Sequence, residues 1–151
     1  MRAKPIILRI LFTCVLLFTS VYAGSSPTSG VVPEKAGAVE IPEAYDCVVV
    51  SKTGETTPVK DLTQTTQEGF RFYPEGGAGK SIPARFEHLR EIRFVSADNR
   101  LEFVSVKLTD RNGKESEGRI KNDLLAGYSH LGGDRPDWSA MPHNLRVIYM
   151  R

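Results

Sequence analysis

Runs of β-branched and aromatic residues, in which apolar and polar positions alternate, recur over the last two thirds of the chain. The clearest is "LEFVSVKLT", where Val104, Val106 and Leu108 fall on one face at a period of two. Shorter runs of the same kind are "YDCVVVSK", "GFRFY", "REIRFV" and "LRVIYM". Pro, Gly or Asp clusters separate them, and only "ARFEHL" has the spacing of a single helical turn. The pattern predicts an all-β domain over residues 45–151.

Two turn signals join these predicted strands into hairpins. Asn112-Gly113, within "DRNGKES", is the dipeptide that a type I′ turn favours, because both central residues of that turn need positive φ. "KTGET" predicts a second turn of this kind around Gly54. We therefore expect antiparallel strands.

The domain contains an internal repeat at a shift of 56 residues. Nine of the 51 pairs formed by residues 45–95 and 101–151 are identical, where about three are expected from average composition. Chance similarity of two β segments is the alternative. The repeat predicts two tandem antiparallel meanders, arranged either as two small barrels or as one sandwich with pseudo-two-fold symmetry. Because neither half has enough apolar residues to fold alone, we expect a shared core.

Alternation and the repeat together select the predicted core positions. They are Val48, Val50, Leu89, Ile92, Val104, Val106, Leu145 and Ile148. Cys47 lies in the same apolar run and is the single cysteine after residue 23. A buried, inert thiol is favoured there over a disulfide between two chains.

The first 23 residues have the layout of a secretory signal peptide. Basic residues come first, an apolar run follows, and small residues end the segment at Ala23. The apolar part spans only Ile10 to Ala23, whereas a spanning helix needs about 20 residues, so an uncleaved anchor is disfavoured. The sequence therefore predicts an exported protein, periplasmic or extracellular, without a membrane span after cleavage.

Residues 24–44 are predicted to form a flexible, disordered linker. They contain three Gly, three Ser and three Pro and show no sustained hydrophobic period. A short edge strand at Val39–Ile41 is the one element that this segment suggests.

Removing the signal peptide changes the charge of the chain. The full sequence has a formal net charge of +2, and residues 1–23 carry three basic residues and no acid, which leaves −1 after cleavage. Neither a nucleic acid nor an anionic membrane is predicted as a partner.

"PEGGAGKS", Pro74–Ser81, resembles a phosphate-binding loop in composition. Pro74 occupies the place of the first glycine of that motif, and Ile82-Pro83 opposes the helix that should begin at Lys80. The matching stretch of the second half, "GGDRPD", lacks the Lys-Ser pair. We interpret both stretches as glycine-rich connections between strands and predict neither a bound nucleotide nor another cofactor.

"GYSHLGG" resembles the nucleophile elbow of a hydrolase only in part. Leu131 stands where the elbow has its last glycine, and no helix is predicted after it. Ser129 and His130 are expected to point to opposite faces of a strand, which would prevent one from activating the other. No catalytic residue and no metal site are predicted; a zinc site built from His130, His143 and Asp134 is the alternative.

Aromatic and imidazole side chains near the glycine-rich stretches are the candidate binding residues. They are Tyr73, Tyr128, His130 and Trp138. Packing in the core is the alternative role of these aromatic rings, above all for Trp138. The leading hypothesis is an exported, non-enzymatic accessory or binding module for an unknown protein or small ligand. The competing hypothesis is a small periplasmic hydrolase or metal-dependent enzyme.

Overall fold

The computed structural model describes residues 39–95 and 102–151, which form one antiparallel sheet. Its strands are β1 (Cys47–Ser51), β2 (Thr56–Gln64), β3 (Gly69–Pro74), β4 (Ile82–Arg85), β5 (Leu89–Phe94), β6 (Phe103–Asp110), β7 (Glu115–Lys121), β8 (Leu125–Tyr128), β9 (Trp138–Ala140) and β10 (Leu145–Met150). Single 3-10 turns at Phe86–His88 and Pro142–Asn144 precede β5 and β10. The prediction of an all-β domain is confirmed.

The ten strands form a single curled sheet, a half-barrel, rather than two separate barrels. Their order is β4-β3-β7-β6-β5-β10-β1-β2-β8-β9. The chain therefore does not continue from β2 to a neighbouring β3. Instead, β3 pairs with β7 and β8 pairs with β2, so each half of the chain contributes a hairpin that borders the other half.

The turn between β6 and β7 differs from the predicted type I′ turn. The N–H of Gly113 donates to the carbonyl of Asp110 at 3.1 Å, which places Arg111 and Asn112 at the centre of the turn. Gly113 has φ of 83°, whereas Asn112 is not among the residues with positive φ. The connection is thus a type I turn followed by a left-handed glycine. Gly54 has the same role between β1 and β2, where its N–H donates to the carbonyl of Ser51.

The predicted signal peptide and most of the predicted linker lie outside the described residues. From Val39 to Asp46 the chain forms a turn but no strand, so the suggested edge strand at Val39–Ile41 is absent. Asp46 fixes the entry to β1, because its N–H donates to the carbonyl of Val59 and its own carbonyl accepts from Arg151. No helix in the described ranges has the length and apolar character that crossing a membrane requires.

One hydrophobic cluster fills the concave side of the sheet and contains residues of both halves. It includes six of the predicted core residues: Leu89, Ile92, Val104, Val106, Leu145 and Ile148. The cluster is continuous across the middle of the sheet, where Ile92 of β5 lies directly opposite Ile148 of β10. The described residues thus share a single core.

Val48 and Val50 are buried, but they lie on the other face of the sheet from Val104 and Val106. Within β1 the residues that join the core cluster are Cys47 and Val49, which alternate with them. The sequence alignment at a shift of 56 is therefore wrong for this strand. The misalignment arises because every residue of the "CVVV" run is apolar, so no alternation shows which of these residues face the core.

Cys47 is a buried free thiol. Burial raises its pKa to about 12, with a further contribution from the charge of Asp46. The Sγ atom lies 3.4 Å from the carbonyl oxygen of Val59 and donates to it. The thiol is therefore protonated, held inside the sheet and inaccessible to a second chain.

Candidate functional site

The segment after β8 is organised by one carboxylate, that of Asp137. Its Oδ1 accepts the N–H of Ser129 at 2.6 Å, and its Oδ2 accepts the hydroxyl of Ser129 at 3.1 Å. Oδ2 also lies 2.5 Å from Nδ1 of His130. The hydroxyl of Tyr45 donates to the carbonyl of Ser129 at 3.0 Å and attaches this loop to the chain before β1.

Asp137 is held in its ionised form by these donors. The hydrogen bond from His130, followed by the N–H of Ser129, lowers the pKa of the Asp137 carboxyl to about 2. Because an ionised carboxylate only accepts hydrogen bonds, Nδ1 of His130 carries the proton in this contact. The imidazole is 87% exposed, and its Nε2 has no hydrogen bond within the described part of the chain. The site therefore presents Nε2 to solvent.

Ser129 and His130 are neighbours in space, which corrects the expectation that they point apart. That expectation assumed a strand, but β8 ends at Tyr128 and both residues lie in a bend, where Ser129 Oγ is 3.1 Å from His130 Nδ1. Their geometry nonetheless differs from a catalytic triad. Nδ1 donates to Asp137 and cannot also take the Ser129 proton, and the Ser129 hydroxyl itself donates to Asp137.

His130 lies between two grooves. The Tyr128 groove, about 430 Å³, is lined by Ala44, Lys60, Asp61, Tyr128, His130, Leu131, Gly132 and Gly133. The Trp138 groove, about 510 Å³, has His130 and Trp138 on one side and the β1–β2 hairpin on the other. Trp138 also packs against the core cluster, so it has both of the roles that the sequence allows. Three of the four candidate residues thus meet at this end of the sheet.

Tyr73 lies apart from the other three, near the opposite end of the strand order. It is directly opposite Arg119 of β7, and its ring meets that of Phe103 edge-on, with centroids 5.1 Å apart. The guanidinium carbon of Arg119 lies 5.5 Å from the centroid of Phe103, a cation–π contact. Tyr73 and Arg119 line the Tyr73 groove, about 590 Å³, together with the glycine loop Glu75–Gly79.

Sequence reasoning missed the basic partners of the two tyrosines. Arg119 lies opposite Tyr73, and Lys60 lies opposite Tyr128. Alternation in "EGRIK" does place Arg119 on the face opposite to the buried Ile120. It carries no signal of which strand lies alongside, because β3 and β7 come from different halves of the chain.

The alternative zinc site is not assembled. His143 lies beside Asn122, with Nδ1 2.9 Å from the Asn122 amide nitrogen, whereas His130 lies beside Asp137. No group of three His, Cys, Asp or Glu side chains suited to a metal ion occurs in residues 39–95 and 102–151.

Comparison of the chain with models of known protein families gave no match, and comparison with curated proteins gave no significant match.

Proposed function

We propose that this protein is an exported, non-enzymatic binding module that presents two related binding surfaces, one near each end of its sheet. The observation that carries the proposal is a repeated pairing of side chains. Tyr73 lies directly opposite Arg119, and Tyr128 lies directly opposite Lys60. In each case a tyrosine and a cation of neighbouring strands line a groove beside a glycine-rich loop. Tyrosine and arginine are each enriched among the residues that dominate the energy of binding surfaces.

Both pairs are on the convex side of the sheet. Phe72 and Gly127, the neighbours of the two tyrosines, point inward and are buried, so Tyr73 and Tyr128 point outward. The two pairs are separated by six strand spacings, about 29 Å along the curve of the sheet. The two surfaces therefore lie on the same face of the sheet but well apart along its curve.

An internal repeat with exchanged hairpins explains why the two surfaces are alike. If β1 to β5 are matched with β6 to β10, the strand order reads the same from either end. At the centre, Ile92 pairs with Ile148, and their outer partners are Leu108 and Val49. In the proposed repeat, each surface combines a tyrosine of one half with a cation of the other.

Close packing beneath the two tyrosines supports the same matching. A Cβ at Gly118 of β7 would lie 2.7 Å from ring atoms of Phe72. A Cβ at Gly127 of β8 would lie 2.8 Å from the carbonyl oxygen of Lys60, and it would also meet the Val59 side chain. At each junction between the halves, a glycine thus faces a larger apolar residue of the neighbouring strand. The glycine lies on the inner strand, β7, at one junction and on the outer strand, β8, at the other.

Binding is favoured over catalysis because the polar groups of the Ser129 loop satisfy one another. Asp137 accepts three hydrogen bonds, two of them from Ser129, and these bonds shape the loop. A nucleophile would instead need a base that accepts its proton, and Ser129 has no such base among residues 39–95 and 102–151. The predicted signal peptide and the net charge of −1 after its removal support export and a partner other than nucleic acid.

A binding panel tests the proposal. Residues 24–151, and the variants Tyr73→Ala, Tyr128→Ala and the double variant, are applied to immobilised neutral polysaccharides, acidic polysaccharides and peptides. We expect at least one class to bind, each single variant to weaken that binding, and the double variant to weaken it most, because two linked contacts act together. Arg146→Gln, which removes an exposed charge on β10 outside both grooves, is the control and should bind like the wild type.

Two results would contradict the proposal. One is the absence of binding to every class, or binding that neither tyrosine variant changes. The other is hydrolysis of nitrophenyl esters that falls in Ser129→Ala or His130→Ala, which would favour the hydrolase.

A further inference from the structure

Arg119 is an exposed cation whose charge is left available to a ligand. Three other cations of the sheet are paired with acids, namely Arg85 with Glu87, Arg93 with Glu91, and Lys107 with Glu115. Among the described residues, no carboxylate lies within ion-pair distance of Arg119. Its guanidinium carbon lies 5.5 Å from the centroid of the Phe103 ring, and a cation–π contact of this kind leaves guanidinium N–H groups able to donate to a ligand.

The glycine loop of the groove adds unused donors. The N–H groups of Gly77 and Lys80 close turns inside the loop, on the carbonyls of Pro74 and Gly77. Gly76, Ala78 and Gly79 have positive φ, and their N–H groups have no hydrogen bond in the described structure. Successive N–H groups in such a backbone can surround an anionic oxygen. The residues that carry these donors line the Tyr73 groove together with Arg119.

The groove also has acceptors, which narrows the class of ligand. Glu75 and Glu117 line it together with Tyr73 and Arg119. A ligand that is anionic along its whole surface, such as a polyphosphate, would be repelled by these two acids. A ligand with one carboxylate and several hydroxyl groups satisfies both sets, because its hydroxyls donate to the glutamates while its carboxylate accepts from Arg119.

We propose that the Tyr73 groove binds an acidic sugar residue of a glycan. The carboxylate of the sugar accepts two parallel hydrogen bonds from Arg119, and the N–H groups of the glycine loop donate to the same carboxylate oxygens. Hydroxyl groups donate to Glu75 and Glu117, and the sugar ring lies against Tyr73. This assignment rests on the proposed binding function and specifies the ligand at one of its two surfaces.

The Tyr128 groove provides an internal comparison. Its cation is Lys60, whose ammonium group is a point charge and lacks the planar set of N–H donors of an arginine. The groove is also smaller, about 430 Å³, and His130 is one of the residues that line it. Bidentate recognition of a carboxylate is therefore expected only in the Tyr73 groove. Loss of Tyr128 should reduce affinity for the acidic sugar much less than loss of Tyr73.

Calorimetric titration of residues 24–151 with defined oligosaccharides tests the assignment. The probes are oligomers of galacturonate, mannuronate and glucuronate, the methyl ester of each, and a glutamate oligopeptide. We expect at least one uronate oligomer to bind, and its methyl ester to bind at least about tenfold more weakly, because a charge-assisted hydrogen bond is lost. Arg119→Gln should weaken binding to a similar extent, and Arg119→Lys should restore only part of it.

Controls separate this assignment from loss of fold and from the general proposal. Arg146→Gln, which removes an exposed charge on β10, should bind like the wild type, and thermal unfolding of Arg119→Gln should match that of the wild type. Equal binding of the methyl ester, equal or tighter binding of the glutamate oligopeptide, or no binding of any uronate would overturn the assignment. If another ligand then binds in a Tyr73- or Tyr128-dependent way, the binding module stands and only its ligand class is wrong.

Discussion

The loops that join β3 to β4 and β8 to β9 have equivalent places in the strand order, yet different chemistry holds them in shape. The first loop is closed by its backbone, through N–H groups that donate to the carbonyls of Pro74 and Gly77. The second is closed by a side chain, the carboxylate of Asp137. The first loop therefore offers the backbone N–H groups of Gly76, Ala78 and Gly79 to a ligand, whereas the second loop offers the imidazole of His130. The same sheet position can thus present two different recognition surfaces.

The two halves should nevertheless depend equally on the core that supports these loops. Leu89 and Leu145 each begin the strand after a 3-10 turn and are buried in the one cluster. Truncating either to Ala leaves a cavity and should lower the free energy of unfolding by about 2–5 kcal/mol. Because β3 pairs with β7 and β8 with β2, we expect both variants to unfold in a single cooperative transition. Urea unfolding monitored at two wavelengths tests this, because the two curves should then coincide.

Leu131→Ala is the control for this measurement. Leu131 is 51% exposed in the second loop, so its truncation should change stability little. Two separate transitions, or a stable Leu145→Ala beside a collapsed Leu89→Ala, would show that the halves are not equivalent parts of one core.

The glycines at the two junctions should show a smaller effect, and again a similar one in each half. Gly118→Ala places a methyl group against the ring of Phe72, and Gly127→Ala places one against Val59 and the neighbouring backbone. Each substitution overpacks the sheet and should lower the free energy of unfolding by about 1–3 kcal/mol. Thermal and urea unfolding measure the loss.

Gly133→Ala is the matched control, because its new Cβ would meet the nearest atom, the carbonyl oxygen of Arg135, at an ordinary 3.5 Å. If Gly118→Ala were as stable as the wild type while Gly127→Ala unfolded, the junctions would not be packed in the same way.

These two tests also show which parts of the fold the sequence could predict. Strands, hairpins and the buried Leu-Arg-x-Ile positions follow from local alternation and turn residues. The exchange of hairpins cannot be predicted in this way, because no local pattern indicates that Phe72 of β3 will face Gly118 of β7. For the same reason Tyr73 was a candidate on its own, whereas its partner Arg119 was missed. Long-range pairing, rather than local propensity, assembles both grooves.

The smallest expected effect concerns the loop that is held by a side chain, and it depends on pH. The pKa of Asp137 is lowered from 3.8 to about 2 by its contacts with His130 and Ser129. A carboxyl with a lowered pKa in the folded state stabilises that state fully above its ordinary pKa, and this contribution is lost as the pH falls through about 2. Asp137→Asn should therefore melt at a lower temperature than the wild type at about pH 5, by less than Leu145→Ala.

The difference between wild type and Asp137→Asn should shrink as the pH falls from about 5 to about 2, because the wild-type carboxyl is then protonated as well. Ser81 occupies the matching position of the first loop at the shift of 56, and Ser81→Ala should melt like the wild type at every pH. Thermal unfolding followed by circular dichroism measures all three proteins. A constant difference across this range, or an equal effect of Ser81→Ala, would mean that the Asp137 charge does not hold the second loop. Such a result would remove the contrast between a loop closed by its backbone and a loop closed by a carboxylate.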